Sequence, residues 1–190
     1  SSMRLGIFGG SFDPIHIGHL IIAEFAREYM GLDKVIFIPV GNPSHREDNL
    51  VSAIDRYNMV KIAIENNSNF EVSDIEIADG KMNYTYDTLL EIKNRYENCE
   101  IFEIIGEDSA DYLHKWKNYD DLLEMCKFLV FKREGFNYNS NHRNIIVMDS
   151  PKVSISATFI RDRIRENKSI KYMVEEKVEK YIVEKRLYTK

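Results

Sequence analysis

Apolar positions along the chain gather into short runs rich in β-branched and aromatic residues, at 5–8, 35–40, 70–75, 101–105, 128–131 and 145–148. Longer stretches with a helical period separate them. That alternation predicts βαβ units and a doubly wound, mainly parallel α/β sheet. The pattern places helices at 20–30, closed by Gly31, and at 52–64, opened by Ser52 with Asp55 three residues on, a capping-box variant. Further helices are expected at 85–96 with Thr85 or Asp87 as cap, at 120–125, at 158–165 entered through Ser154 and Ser156, and at 174–184 with Val174, Val178, Tyr181 and Ile182 on one face. Residues 41–49 and 135–144 are polar and rich in Asn, Ser or Gly, and read as surface loops.

The length of 190 residues suits one ordinary core. We therefore expect a single domain over 1–190, with 154–190 as a small helical C-terminal part; Ser1 and Ser2, ahead of Met3, read as vector-derived. A net charge of −5 argues against a general nucleic-acid binder, which presents a basic face, so any phosphate must meet local cations. Cys99 and Cys126 are too few for a disulfide scaffold or a four-cysteine zinc site, and point to a reducing, cytoplasmic setting. No apolar run approaches the roughly 20 residues of a membrane span, so no membrane partner is expected.

In open parallel sheets, ligands collect outside the carboxyl ends of the strands. Four segments that carry chemistry follow strands here: 9–19, 39–46, 106–116 and 154–161. The first reads Gly9-Gly10-Ser11-Phe12-Asp13-Pro14-Ile15-His16-Ile17-Gly18-His19. A strand, a Gly-rich bend and a helix start put backbone N–H groups and a positive dipole end where a phosphate can sit. His16 and His19 share a face of the first turn. From the residues alone they are phosphate donors, zinc ligands lacking an evident third partner, or capping and packing groups; the glycine context favours phosphate. Asp13, before Pro14, reads as a turn residue. Ser156, Thr158 and Arg161 open a later helix whose free N–H groups and guanidinium also suit phosphate. Trp116, the sole tryptophan, is by itself core or a binding platform.

The first motif resembles the GGTFDPxHxGH signature of nucleotidyltransferases, with Ser11 in place of Thr. Four further motifs resemble bacterial nicotinate-mononucleotide adenylyltransferases: Asn42-Pro43-Ser44-His45-Arg46, Tyr84-Thr85-Tyr86-Asp87-Thr88-Leu89, Ile105-Gly106-Glu107-Asp108 with Trp116, and Ser154-Ile155-Ser156-Ala157-Thr158-Phe159-Ile160-Arg161. The resemblance implies a Rossmann-like fold and adenylyl transfer from ATP to nicotinate mononucleotide, giving nicotinate adenine dinucleotide and pyrophosphate without a covalent intermediate. It implies Mg²⁺ held mainly by the phosphates. His16, His19 and Arg161 would be catalytic. Gly9, Gly10, Ser11, Phe12, Arg46, Gly106, Asp108, Arg133, Ser156 and Thr158 would join them around ATP, and Thr85, Trp116 and the Tyr112 backbone N–H would hold the mononucleotide.

Four further positions depart from the family pattern: Arg46 for Lys, Ser44 for the second proline of a Pro-Pro-His run, Ala157 for Ser, and Glu107 for a small residue. The rivals sharing the first motif are phosphopantetheine adenylyltransferases and cytidylyltransferases, whose later motifs fit worse; a non-catalytic nucleotide sensor is the alternative of another class. The last helix could pack on its own chain or, in a homo-oligomer, on a partner.

Overall fold

The computed structural model of the protein describes residues 2–41, 51–78 and 84–190. Among them six strands form one sheet in the order β3-β2-β1-β4-β5-β6, with every pair parallel. They are β1 (Met3–Gly10), β2 (Lys34–Pro39), β3 (Phe70–Val72), β4 (Cys99–Gly106), β5 (Cys126–Phe131) and β6 (Ile145–Val147). The helices are α1 (Ile17–Met30), α2 (Ala53–Ile64), α3 (Thr85–Arg95), α4 (Glu107–Ala110), α5 (Tyr119–Met125), α6 (Ala157–Arg165) and α7 (Glu176–Lys185), with a 3₁₀ turn at Leu113–Lys115.

A parallel sheet is covered on both faces, so its strands carry apolar residues on both sides. Phe8, Phe37, Phe102, Ile104 and Leu129 pack against α1, α2, α6 and α7. Leu5, Ile7, Ile36, Ile105, Phe128 and Val130 pack against α3, α4 and α5 through residues such as Leu89, Ile92, Ala110 and Leu122. The expected doubly wound architecture is present, and the sheet is wholly parallel. β1 is central. The chain steps outward from it through β2 to β3, then crosses back to β4 on its other side, which sets the topological switch point between β1 and β4.

Gly31 ends α1 in the left-handed conformation at φ 60°, as its residue type suggests. Ser52 caps α2, its Oγ accepting the Asp55 N–H at 3.1 Å. Several boundaries differ from the sequence pattern. α1 begins three residues early because His16 is its cap, a role usually taken by Ser, Thr, Asp or Asn. α3 is preceded by Tyr84 and has no side-chain cap, so neither Thr85 nor Asp87 fills that role. α4 and the 3₁₀ turn, too short to show a period, went unforeseen. The last helix starts at Glu176 because Glu175 caps it, accepting the Lys177 N–H at 3.0 Å.

α7 packs on its own chain. Val178 and Ile182 are buried, and the Tyr181 hydroxyl donates to Asp55 Oδ1 at 2.7 Å while accepting from Asn58 Nδ2 at 3.3 Å.

Candidate functional site

Two cavities open at the carboxyl ends of the strands, flanking the switch point, and they share Phe8, Phe12, His19, Phe131 and Arg133 as a common wall. The larger, about 660 Å³, is lined by Gly9, Gly10, Thr85, Gly106, Asp108 and Trp116 among others. The smaller, about 470 Å³, is lined by Ser11, His16, Ser156, Ala157, Thr158 and Arg161 among others. The sheet thus brings three of the four post-strand segments to one cleft. Of the fourth, Val40 lines the larger cavity, whereas the expectation for Arg46 lies outside the described residues.

His16 and His19 form a reciprocal cap at the start of α1. The Gly18 N–H donates to His16 Nδ1 at 3.1 Å, and the His16 N–H donates to His19 Nδ1 at 3.1 Å. Both Nδ1 atoms are therefore acceptors, so in the neutral rings the proton sits on Nε2, and each ring offers one Nε2–H donor. The rings stack with centroids 3.7 Å apart. Burial, then the charge of Arg133, holds His16 down to about 4. His19 is depressed well below the ordinary imidazole value by burial, then by His16 and Arg133. Neutral imidazoles follow at pH 7, as the cap requires. The capping role that the residues left open thus leaves one Nε2–H on each ring outside the cap.

Gly18 makes this cap possible. A Cβ there would lie 2.9 Å from His16 Cε1 and 3.0 Å from its Nδ1. Gly106 has a similar reason: a Cβ would meet Asp108 Oδ1 at 2.6 Å and Arg133 Cδ at 2.7 Å. Asp108 Oδ1 and Arg133 Nε are 3.6 Å apart at the cavity rim.

The start of α6 faces the smaller cavity. Ser156 Oγ accepts the Phe159 N–H at 3.1 Å, leaving the earlier amides of Ala157 and Thr158 as helix-end donors. Arg161 is buried and partly committed: Nη1 donates to the Asp13 carbonyl at 2.8 Å and Nη2 to Thr158 Oγ1 at 3.2 Å. Asp13 exceeds the turn role expected of it. Its Oδ1 accepts the Tyr188 hydroxyl at 2.5 Å, and its Oδ2 lies 3.9 Å from Arg161 Nη1. Arg56 braces the same loop, donating from Nη1 to the Ser11 and Val40 carbonyls at 2.9 and 2.6 Å.

In the larger cavity, the N-terminus of α3 at Thr85 and the indole of Trp116 line the same space. Trp116 also meets Phe128 edge-on at 6.1 Å, so part of its ring is core. Tyr112 does not join them. Its N–H already donates to the Ser109 carbonyl at 3.0 Å, and the residue is 60% exposed, because the short α4 turns its amide inward. Glu107 turns away from the cleft: its two oxygens accept the N–H groups of Arg133 and Tyr138, each at 2.9 Å, and clamp the segment after β5. Sequence reasoning missed Lys115, Lys117, Glu76 and Glu103, all of which line the larger cavity. For Glu103 a signal was visible, a carboxyl inside the apolar run 101–105.

Residues 7–163 match the cytidylyltransferase-like family model, the class to which a phosphate-suited cleft at the switch point of this sheet corresponds. The chain is 46% identical over 188 residues to the probable nicotinate-nucleotide adenylyltransferase of Fusobacterium nucleatum, covering 95% of this chain and 97% of the relative. It is 40% identical over 197 residues to that of Clostridium novyi, covering 97% and 98%. It belongs to the nicotinate-nucleotide adenylyltransferase family within that class. Its fold is also that of the Plasmodium falciparum nicotinic acid mononucleotide adenylyltransferase complexed with NaAD, at 22% identity and a TM-score of 0.84 over 98% of this chain and 97% of that one.

Proposed function

We propose that this chain, acting as one domain in the cytoplasm, transfers the adenylyl group of ATP to nicotinate mononucleotide. An oxygen of the mononucleotide 5′-phosphate attacks the α-phosphorus of ATP in line, a new P–O bond forms, the bond to the β-phosphate oxygen breaks, and pyrophosphate leaves with the electron pair. The products are nicotinate adenine dinucleotide and pyrophosphate. The reading rests above all on the two Nε2–H donors of the stacked pair, His19 at the wall common to both cavities and His16 in the smaller one.

Such a reaction needs alignment and neutralisation of charge more than a nucleophile. His19 lines both cavities and is assigned to the α-phosphate where the two substrates meet; His16, in the smaller cavity, is assigned with the α6 amides of Ala157 and Thr158 to the leaving phosphates. Ser156 holds that helix start in shape. Arg161 contributes its remaining donors and its charge, steadied by Asp13 and Thr158. Arg133, between the cavities, adds a cation near the transferred group. Gly9, Gly10, Ser11 and Phe12 give backbone approach to the nucleotide, and Gly106 and Asp108 suit ribose hydroxyls. Mg²⁺ arrives with ATP, held by phosphate oxygens and water, as this ion usually is.

Trp116 would stack on the pyridine ring, and the free N–H groups at Thr85 favour its carboxylate, a dipole contribution of about 0.3–1 kcal/mol. All these groups come from one chain, so the reading requires no second copy. The test is pyrophosphate release with Mg-ATP and, in separate reactions, nicotinate mononucleotide, nicotinamide mononucleotide and phosphopantetheine. Turnover is expected with the first. Absence of turnover with all three overturns the assignment and leaves a nucleotide sensor; turnover with phosphopantetheine alone moves the chain to the rival enzyme class.

A further inference from the structure

Glu103 sits in the middle of β4, between Ile7 of β1 and Phe128 of β5 in register. It is 6% exposed, and Oε2 has no hydrogen-bond partner among the described residues. An ionisable group in such a place is costly unless something pairs with it. Glu103 lines the larger cavity together with Thr85, Trp116 and Glu76. Glu76 already has a partner, the Thr88 hydroxyl at 2.8 Å. The unpartnered oxygen of Glu103 therefore belongs to a carboxyl in the wall where the pyridine ring is assigned.

Burial, and then the neighbouring charge of Glu76, push Glu103 well above the usual carboxylate range. That direction favours the carboxylic acid form, which has one O–H to donate.

We propose that Glu103 is a specificity-determining residue, its buried and otherwise unpartnered carboxyl hydrogen-bonding the carboxylate of the pyridine nucleotide lying against Trp116. The inference rests on the mononucleotide reading above. An O–H···O⁻ bond is short and about twice as strong as a neutral one. The ligand's negative charge also favours the protonated form of Glu103, so site and ligand reinforce each other. A carboxamide in the same place meets only a neutral partner. No proton need be transferred; the O–H stays on Glu103 throughout.

Wild type, Glu103→Gln, Glu103→Leu and Glu103→Met are compared by steady-state kinetics with nicotinate mononucleotide, nicotinamide mononucleotide and ATP, alongside their melting temperatures. The Leu and Met variants are expected to raise KM for nicotinate mononucleotide about 10- to 100-fold, the scale of a lost hydrogen bond to a charged group, with less effect on the nicotinamide form and on ATP. The Gln variant, whose amide still donates, should recover most of that loss. Melting temperatures should not fall, since no protein partner among the described residues is removed and a costly buried carboxyl is replaced. An unchanged KM in the apolar variants, an equal rise for all three substrates, or no recovery by Gln overturns the proposal. If wild type itself fails to turn over nicotinate mononucleotide, the functional assignment fails; if wild type works and the variants match it, only the role of Glu103 fails.

Discussion

His19 Nδ1 accepts the backbone N–H of His16, and the two imidazoles stack 3.7 Å apart, so each ring is fixed on its Nδ1 side by the helix it begins. One pair of residues both starts α1 and lines the cleft. Removing His19 takes away a donor and half of a cap. His19→Ala should lower kcat/KM by at least about 100-fold, the scale of losing one transition-state donor, and cost about 0.5–2 kcal/mol of stability. Pyrophosphate-release kinetics and urea unfolding on one preparation separate the two; equal activity would reduce His19 to a cap alone.

Gly18 is the steric counterpart of that arrangement. Gly18→Ala drives a methyl into the His16 ring at 2.9 Å and against Val153 Cγ1 at 3.1 Å. Either the ring or the helix start must move. A displacement near 1 Å at a site of in-line transfer costs about 100-fold, so kcat should fall on that order while far-ultraviolet circular dichroism stays close to wild type. Wild-type kcat in this variant would show that His16 needs no fixed position.

His16, buried, and Glu76, half-buried, give opposite pH signatures. For His16, unfolding raises the value from about 4 to the ordinary 6.5, so the unfolded state binds the extra proton; the stability contribution is full above pH 6.5 and is lost as pH falls toward 4. Glu76 is raised to about 7, chiefly by burial, so its contribution is full below pH 4.5 and is lost as pH rises through 7. Urea midpoints measured from pH 4 to 8 should rise more steeply with pH in Glu76→Gln than in wild type. Parallel curves would contradict the half-buried placement of Glu76.

Trp116→Ala should raise KM for nicotinate mononucleotide well above any change for ATP, by about 10-fold or more for a lost stacking platform. Because the indole also packs on Phe128, some loss of melting temperature is expected as well. Equal KM changes for both substrates would assign Trp116 to the core alone.

The fold was legible because each apolar run is long enough to show a strand and each gap long enough to show a helix. α4 and the 3₁₀ turn at Leu113–Lys115 were not, since three or four residues carry no period. That small piece decides the fate of Tyr112, whose amide it closes off. His16 as a cap was hidden by residue type, since imidazoles seldom take that role. The convergence of His16, His19, Thr158 and Arg161 on one cavity followed from the rule that places ligands at strand ends. The inward turn of Glu107 did not, because it depends on the Arg133 and Tyr138 amides arriving from a loop 26 and 31 residues away.

The bond from Tyr188 to Asp13 joins positions 175 apart in sequence. During synthesis β1 can find both of its neighbours once residue 106 has left the ribosome, but the loop that follows it waits for residue 188 before Asp13 gains this partner. The sheet and the cleft's principal loop thus mature on different clocks. A nascent chain can pair β1 with both of its neighbours while the loop leading into α1 still lacks that anchor.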